Sequence, residues 1–212
     1  MSPEKSKLKD ITEIRDMMER STRFLSLSGL AGVFAGLVAI VAALTAFYYL
    51  GYDVRYFDPQ TYFSQELYMK TINEYTGLLI LGILTLIIAI GGSVIFSTRK
   101  AKKKGLQVWN AAGKRMVINL FIPLVAGGIF LLIMLYHNLV FLIAPITLIF
   151  YGLGLINASK YTLKETKYLG LSEVILGLAA SLFIGYGMIF WTIGFGLLHI
   201  VYGIWMYRKY EL

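Results

Sequence analysis

Two side chains in the apolar stretches of this sequence could bind a cation or exchange a proton, Glu173 and His199. Glu173 is essentially the one charged residue inside six long apolar runs, and His199 lies near the middle of the last run. Ionisable groups in such surroundings are costly and rare, so each is a functional hypothesis by default. The alternative is structural, because polar side chains in helix bundles also form simple hydrogen bonds between helices.

Two amides at similar depth extend this candidate site. Asn119 lies near the start of the third apolar run, and Asn157 lies near the end of the fourth. We therefore expect a ligand or proton site formed by Glu173, His199, Asn119 and Asn157. The sequence has neither a phosphate-binding loop, nor paired carboxylates, nor a serine with a partner base, and it has no cysteine. These observations favour a protein without catalytic residues, metal or cofactor, although they do not decide whether it is an enzyme.

The elements that must position these groups are long apolar helices. Of 212 residues, 58% are hydrophobic and 15% are charged, whereas soluble domains are about 25% charged. A membrane span needs roughly 20 apolar residues. The sequence predicts an all-α, polytopic bundle of six transmembrane helices over residues 25–212, with spans at 25–49, 75–96, 116–136, 140–159, 168–190 and 191–207.

Basic residues between these runs predict the orientation of the chain. Of the 20 Lys and Arg residues, only Arg55 and Lys70 lie in loops that would face outward. Positive charge marks cytoplasmic loops, so we expect both termini in the cytoplasm of a multi-pass protein of the bacterial inner (plasma) membrane. The net charge of +8 then needs no nucleic acid. One basic run has two interpretations: it binds anionic lipid headgroups, or it serves only to stop translocation. Its residues are Arg99, Lys100, Lys102, Lys103 and Lys104.

Residues 1–24 predict a separate cytoplasmic amphipathic helix. Apolar residues recur there every three or four positions, at Leu8, Ile11, Ile14 and Met17, which is helical spacing. Such a helix could lie on the inner membrane surface or against the bundle, or it could hold a cytoplasmic partner.

Small residues along helix 1 predict a close helix contact. Side chains of this size let two backbones approach, and the row consists of Ala31, Gly32, Ala35, Gly36, Ala39 and Ala43. The partner could be another helix of the chain, a second copy, or another membrane protein.

A faint internal repeat links helices 1 and 5 and helices 4 and 6. The motif Gly-Leu recurs with the same seven-residue spacing at positions 29 and 36 and at positions 170 and 177, and Tyr-Gly occurs at 151–152 and 202–203. Parallel repeats are typical of some transporters, but helices rich in Gly and Leu also match by chance.

Residues 17–30, which read Met-Met-Glu-Arg-Ser-Thr-Arg-Phe-Leu-Ser-Leu-Ser-Gly-Leu, resemble the start of an uncharacterised family of small six-helix bacterial integral membrane proteins. That resemblance implies a layout and no function. The layout is also similar to the substrate-binding membrane subunits of energy-coupling-factor vitamin transporters, which use small residues on helix 1 for docking. The row of Ala31, Ala35 and Ala39 matches that feature, and no binding residue carries over.

The sequence thus predicts a small-molecule binding or transport subunit that uses a polar cluster inside the bundle. The alternative is a regulatory or scaffold membrane protein that holds a cytoplasmic partner through its basic face and N-terminal helix. An enzyme acting on lipids is a third hypothesis, which would need acids and bases converging at the inner interface.

Overall fold

All regular structure in the described part of the chain is helical. The computed structural model describes residues 24, 27–49, 65–105, 110–137 and 139–212, with side chains of the second helix described from Thr76 onward. The helices are α1 (Gly29–Tyr49), α2 (Gln65–Lys103), α3 (Ala111–Tyr136), α4 (Ile143–Ala158), α5 (Thr166–Leu182) and α6 (Gly187–Tyr210). Short 3₁₀ turns, Val140–Leu142 and Ser159–Tyr161, flank α4. The predicted amphipathic helix falls almost entirely outside the described residues.

Several of these helices have the length and composition of membrane spans. Five qualify within the described residues, which are Gly29–Tyr49, Thr76–Lys103, Ala111–Tyr136, Val140–Tyr161 and Gly187–Tyr210. α5 has 17 residues, a length of about 26 Å at 1.5 Å per residue, and it contains Glu173. The chain is therefore an all-helical protein with the apolar helices of a multi-pass membrane protein.

The boundary between the last two helices differs from the sequence prediction. α5 ends at Leu182, not at residue 190, and α6 begins at Gly187, not at residue 191. The turn between them uses Gly185 with φ +96°, a left-handed conformation that glycine adopts without a Cβ penalty. Hydropathy could not locate this turn, because no charged residue lies between Glu173 and His199.

The helices pack in a row with two edges. α1 lies between α2 and α6, and α4 lies between α5 and α3. The beginning of α6 packs on both α4 and α5, which joins the two groups. α2 and α3 are the edge helices, and most of their apolar side chains are exposed, as lipid-facing side chains would be.

Glycine backbones bring α1 and α6 into close contact. A Cβ added to Gly36 would lie 2.6 Å from the carbonyl oxygen of Gly196 and 3.0 Å from the backbone nitrogen of Ile200. A Cβ added to Gly203 would lie 2.5 Å from the nitrogen of Val33. These distances leave no room for a larger residue, so the glycines of helix 1 pack within the chain.

The same contacts recur between α5 and α4. A Cβ added to Gly177 would lie 3.0 Å both from the carbonyl oxygen of Pro145 and from the nitrogen of Ile149. A Cβ added to Gly152 would lie 2.9 Å from the nitrogen of Val174. Each α4 residue lies 51 positions before its α6 counterpart, and each α5 residue lies 141 positions after its α1 counterpart. The faint repeat in the sequence therefore marks two equivalent helix pairs, α1–α6 and α5–α4.

Glu211, which follows α6, connects α6 to the start of α1. This contact lies at the basic end of the bundle, where Lys100, Lys160 and Lys209 also lie. The Glu211 carboxylate accepts hydrogen bonds from the backbone nitrogen of Gly29 (2.6 Å) and from the Ser28 hydroxyl (3.2 Å). It also lies 3.3 Å from the Lys100 ammonium, which is buried. The sequence predicts that Lys100 binds lipid headgroups, and in the structure it forms an internal ion pair with Glu211.

Candidate functional site

Glu173 is held in the interior by the register of α5. It lies seven residues after Thr166, about 10 Å along the helix axis, and its exposed fraction is 0%. The glycines Gly170 and Gly177 pack on α4, so the face that carries Glu173 points into the bundle rather than toward lipid. A carboxyl in this position needs a partner or a proton, because an unpaired charge in an apolar interior is costly.

His199 is placed by an irregular stretch of α6. Residues Thr192–Leu198 form a π-helical segment, and regular α-helix resumes at His199. π segments are rare and frequently occur at functional sites. The imidazole Nδ1 lies 2.9 Å from the carbonyl oxygen of Gly194, five residues earlier. Its Nε2 lies 2.8 Å from the hydroxyl of Tyr151 on α4.

These two hydrogen bonds define the tautomer of His199. A backbone carbonyl can only accept a hydrogen bond, so Nδ1 must carry the hydrogen that points at Gly194. In the neutral imidazole Nε2 is then the acceptor, and the Tyr151 hydroxyl donates to it. The ring is thereby fixed in orientation by one contact from its own helix and one from α4.

Glu173 and His199 lie beside each other, a contact that the sequence alone does not determine. Oε1 of Glu173 is 3.4 Å from Nδ1 of His199. Both carboxyl oxygens are buried and have no hydrogen-bond partner among the described residues. The Nδ1 hydrogen is directed at Gly194, so the carboxyl stands next to a donor that is already engaged. The proton could lie on the Glu173 carboxyl, or it could lie on His199, which would leave a carboxylate beside an imidazolium.

A glycine makes the space for this carboxyl. A Cβ added to Gly194 would lie 2.5 Å from Oε2 of Glu173 and 2.5 Å from Cδ2 of Leu148. Gly194 thus supplies a carbonyl to His199 and leaves room for Glu173. Sequence reasoning missed both Gly194 and Tyr151. The only signal for Tyr151 was its place in the repeated Tyr-Gly motif.

Aromatic rings cover one side of the site. Phe195 stacks on the His199 ring with centroids 5.9 Å apart, and it also contacts Tyr151 at 5.0 Å. Trp191 lies 5.0 Å from Phe195. These rings keep the imidazole and the phenol in apolar surroundings, where a hydrogen bond is electrostatically stronger than in water.

The two predicted amides do not join this site. The Asn157 side chain donates to the backbone carbonyl of Asn119 at 2.9 Å, and the Asn119 side chain donates to the carbonyl of Arg115 at 2.8 Å. The Asn157 side chain therefore connects α4 to α3, and the Asn119 side chain bonds to the backbone of its own helix. In the part of the chain that the structure describes, no three His, Asp or Glu side chains converge as metal ligands.

The site lies where the two helix pairs meet, and it is also where they differ. Tyr151 and Glu173 belong to the α5–α4 pair, and His199 belongs to the α1–α6 pair. By the spacing of the repeat, Glu173 has Gly32 as its counterpart and His199 has the buried Leu148. Glu173 and His199 thus occupy positions that are empty or apolar in the other pair, whereas Tyr151 has Tyr202 as its counterpart.

Comparison of the chain with protein-family models, with curated proteins and with solved structures finds no match. The resemblance to energy-coupling-factor subunits stays a prediction.

Proposed function

We propose that this chain is a six-span protein of the bacterial inner membrane with both termini in the cytoplasm. α5 is the sixth span in this proposal. Its length of about 26 Å approaches the hydrocarbon thickness of about 30 Å, and its apolar residues flank a single buried acid. The starts of α1 and α5 lie with the ends of α2 and α6 at the basic end, which the positive-inside principle assigns to the cytoplasm.

We further propose that the protein is a transport subunit for a small molecule and that Glu173 and His199 form its proton-binding site. The observation that carries this proposal is the wholly buried Glu173 carboxyl, which has no hydrogen-bond partner among the described residues yet lies 3.4 Å from His199. A buried carboxyl with only a structural role between helices would be hydrogen-bonded. An intramembrane acid beside a histidine is typical of proton relays in transporters.

The position of the site supports coupling of the proton to movement. Transporters built from repeats bind substrate and ions at the interface between the repeats, and alternating access arises when one unit rocks against the other. Here the two helix pairs are tightly packed internally, and Glu173, Tyr151 and His199 bridge them. Separation of the pairs would break the two contacts of His199 that cross the interface, those with Glu173 and with Tyr151. A proton on Glu173 would therefore change the equilibrium between the closed and the separated arrangement of the pairs.

Infrared difference spectroscopy of the purified protein after a pH jump tests this proposal. Wild type should show a carboxylic-acid carbonyl band that rises and falls with pH, and Glu173→Gln should lose it. Asn157→Ala is the control, because its amide lies outside the site and the band should remain. A wild-type spectrum identical to that of Glu173→Gln would reject the proton site.

A thermal-stability screen then searches for the transported molecule. The detergent-purified wild type and Glu173→Gln are compared across a set of small polar metabolites, with native mass spectrometry to detect any bound molecule. A compound that stabilises the wild type and not the variant would support binding at this site. Compounds that stabilise both proteins equally would place binding elsewhere.

A further inference from the structure

Side chains, rather than close backbone contacts, connect α5 to the inner half of α6. Within each helix pair, glycines bring the backbones together, as at Gly36 with Gly196 and at Gly152 with Gly170. Between α5 and the segment His199–Tyr210, the contacts are polar side chains arranged as three successive rungs. We call this row the α5–α6 seam; its rungs are Glu173 with His199, Thr166 with Tyr202, and Glu165 with Lys209 and Tyr210.

The two rungs below Glu173 are formed by direct hydrogen bonds. The Thr166 hydroxyl lies 3.0 Å from the Tyr202 hydroxyl. The Glu165 carboxylate accepts a hydrogen bond from the Tyr210 hydroxyl at 2.8 Å, and it is also bonded by the Lys209 ammonium. Each rung crosses from the α5–α4 pair to the α1–α6 pair.

Helix geometry places the rungs in line between the buried site and the basic end. Thr166 and Glu173 are seven residues apart, which is two turns, so they share one face of α5. His199 and Tyr202 are three residues apart and share one face of α6, about 4.5 Å apart along its axis. The seam therefore runs from Glu173 toward the cytoplasmic end without leaving the interface between the pairs.

Burial and unused hydrogen-bonding capacity distinguish this seam from an ordinary surface contact. Thr166 is 3% exposed, and Glu165 is also buried. In the part of the chain that the structure describes, the buried side-chain oxygens or nitrogens without a partner are one oxygen of Glu165 and both oxygens of Glu173. These atoms mark the two ends of the seam. A seam closed only for stability would leave neither carboxyl with free acceptors.

We propose that the α5–α6 seam is the closed cytoplasmic route between the Glu173 site and the basic end of the bundle. The proposal rests on the transport function argued above, and it names the gate of that site. Water can replace each rung, because a water-mediated hydrogen bond is nearly as good as a direct one. The glycine contacts inside each pair have no such replacement. The pairs therefore separate along the seam as two units. Thr166 and Tyr202, which lie nearer to Glu173, are called the inner lock. Glu165, Lys209 and Tyr210, which lie nearer to the cytoplasmic end, are called the outer lock.

Cysteine labelling tests the gate directly, since the chain contains no cysteine. Thr166→Cys is placed in the full-length protein in inside-out vesicles and treated with a membrane-impermeant methanethiosulfonate. Thr166→Cys replaces the hydroxyl of the inner lock, and the thiol should still react slowly while the outer lock of Glu165, Lys209 and Tyr210 is intact. Adding Glu165→Gln weakens the outer lock, and the labelling rate should rise about tenfold, the effect of roughly one charge-assisted hydrogen bond. Right-side-out vesicles should show no such rise.

Leu171→Cys is the matched control because Leu171 is an exposed, lipid-facing residue of the same helix. Its slow labelling should be the same with and without Glu165→Gln. If Glu165→Gln does not fold, Lys209→Met weakens the same lock from the α6 side. Equal labelling of Thr166→Cys with the lock intact and weakened would overturn the proposal, as would a parallel rise at Leu171→Cys. If Glu173 still shows its infrared proton band in that case, the gate is refuted and the proton site is not.

Discussion

Gly194 faces Glu173 so closely that a Cβ would lie 2.5 Å from the carboxyl oxygen Oε2. The substitution Gly194→Ala should therefore push the carboxyl out of place or strain α6. We expect a loss of about 1–3 kcal/mol in stability, as for other overpacked interiors, measured as a lower midpoint of thermal unfolding in detergent. The double variant Gly194→Ala with Glu173→Ala should recover part of that loss, because the carboxyl oxygen is removed while Cδ2 of Leu148 still lies 2.5 Å from the added Cβ.

Gly128→Ala is the control for this experiment. A Cβ on Gly128 would have no neighbour within 4 Å, so alanine there should leave stability unchanged or raise it by about 0.5–1 kcal/mol. A loss at Gly128 equal to that at Gly194 would show that the effect is a general cost of adding a methyl group to these helices and does not come from the Glu173 contact.

The tautomer of His199 can be read by nitrogen NMR. The chain has two histidines, so His137→Gln leaves a single imidazole to observe. We expect a neutral ring with the hydrogen on Nδ1, because Gly194 can only accept from that atom. Tyr151→Phe should remove the hydrogen bond to Nε2 and shift that resonance alone. A hydrogen found on Nε2 would contradict the arrangement described for the site.

Removal of the Glu211 side chain should loosen the start of α1. Glu211→Ala leaves the Gly29 nitrogen and the buried Lys100 ammonium without their carboxylate partner. We expect a loss of about 1–3 kcal/mol, the usual cost of leaving a buried donor unsatisfied. Thermal unfolding measures it, with Leu212→Ala as the control because Leu212 is 88% exposed. Adding Lys100→Met to Glu211→Ala should restore part of the loss.

Acid should weaken the outer lock only at low pH. Burial alone would raise the pKa of Glu165, but hydrogen bonds from Lys209 and Tyr210 and from its own backbone outweigh it and hold that pKa below its ordinary value. Such a group contributes stability that is complete above the unfolded-state pKa and is lost as pH falls through the lowered value. The difference in unfolding midpoint between wild type and Glu165→Gln should therefore stay constant near neutral pH and shrink only below the ordinary carboxyl range. Shrinkage near neutral pH would contradict this contact.

The equivalence of the two helix pairs predicts a loss of stability at both of two matched glycines. Gly36→Ala places a Cβ 2.6 Å from the carbonyl oxygen of Gly196, and Gly177→Ala places one 2.6 Å from Cγ1 of Ile149 and 3.0 Å from two backbone atoms of α4. Both variants should have a lower midpoint of thermal unfolding, with the larger loss at Gly36, where the nearest atom is backbone. A large loss at one position with none at the other would show that only one pair depends on close backbone contact.

The helical architecture was predictable from hydropathy because apolar runs of membrane length leave few alternatives to a helix. Individual ends were less predictable. The basic residues after residue 96 continue α2 to Lys103, since Lys and Arg are good helix formers in water. The turn at Gly185 carries no charged residue that would have marked it.

The site was predictable only in part. Glu173 and His199 stood out because ionisable groups are rare in apolar runs. Their contact depends on how α5 and α6 pack, which the turn between them favoured but did not determine. Gly194 gave no signal, and Tyr151 gave only its place in the repeated Tyr-Gly motif, because tyrosine and glycine are common in membrane helices. Their roles arise from distances across three helices, which composition does not encode.

The pairing of α1 with α6 has a consequence for synthesis of the protein. α4 and α5 are consecutive in the chain, so their glycine faces can meet as soon as both helices have entered the membrane. α1 is made before α2 to α5, and its partner α6 is made after them. Its glycine face must wait until those four helices have been translated, and contacts that are distant in sequence form late and leave exposed surfaces meanwhile. A chain truncated before α6 would therefore leave the glycine face of α1 without its partner.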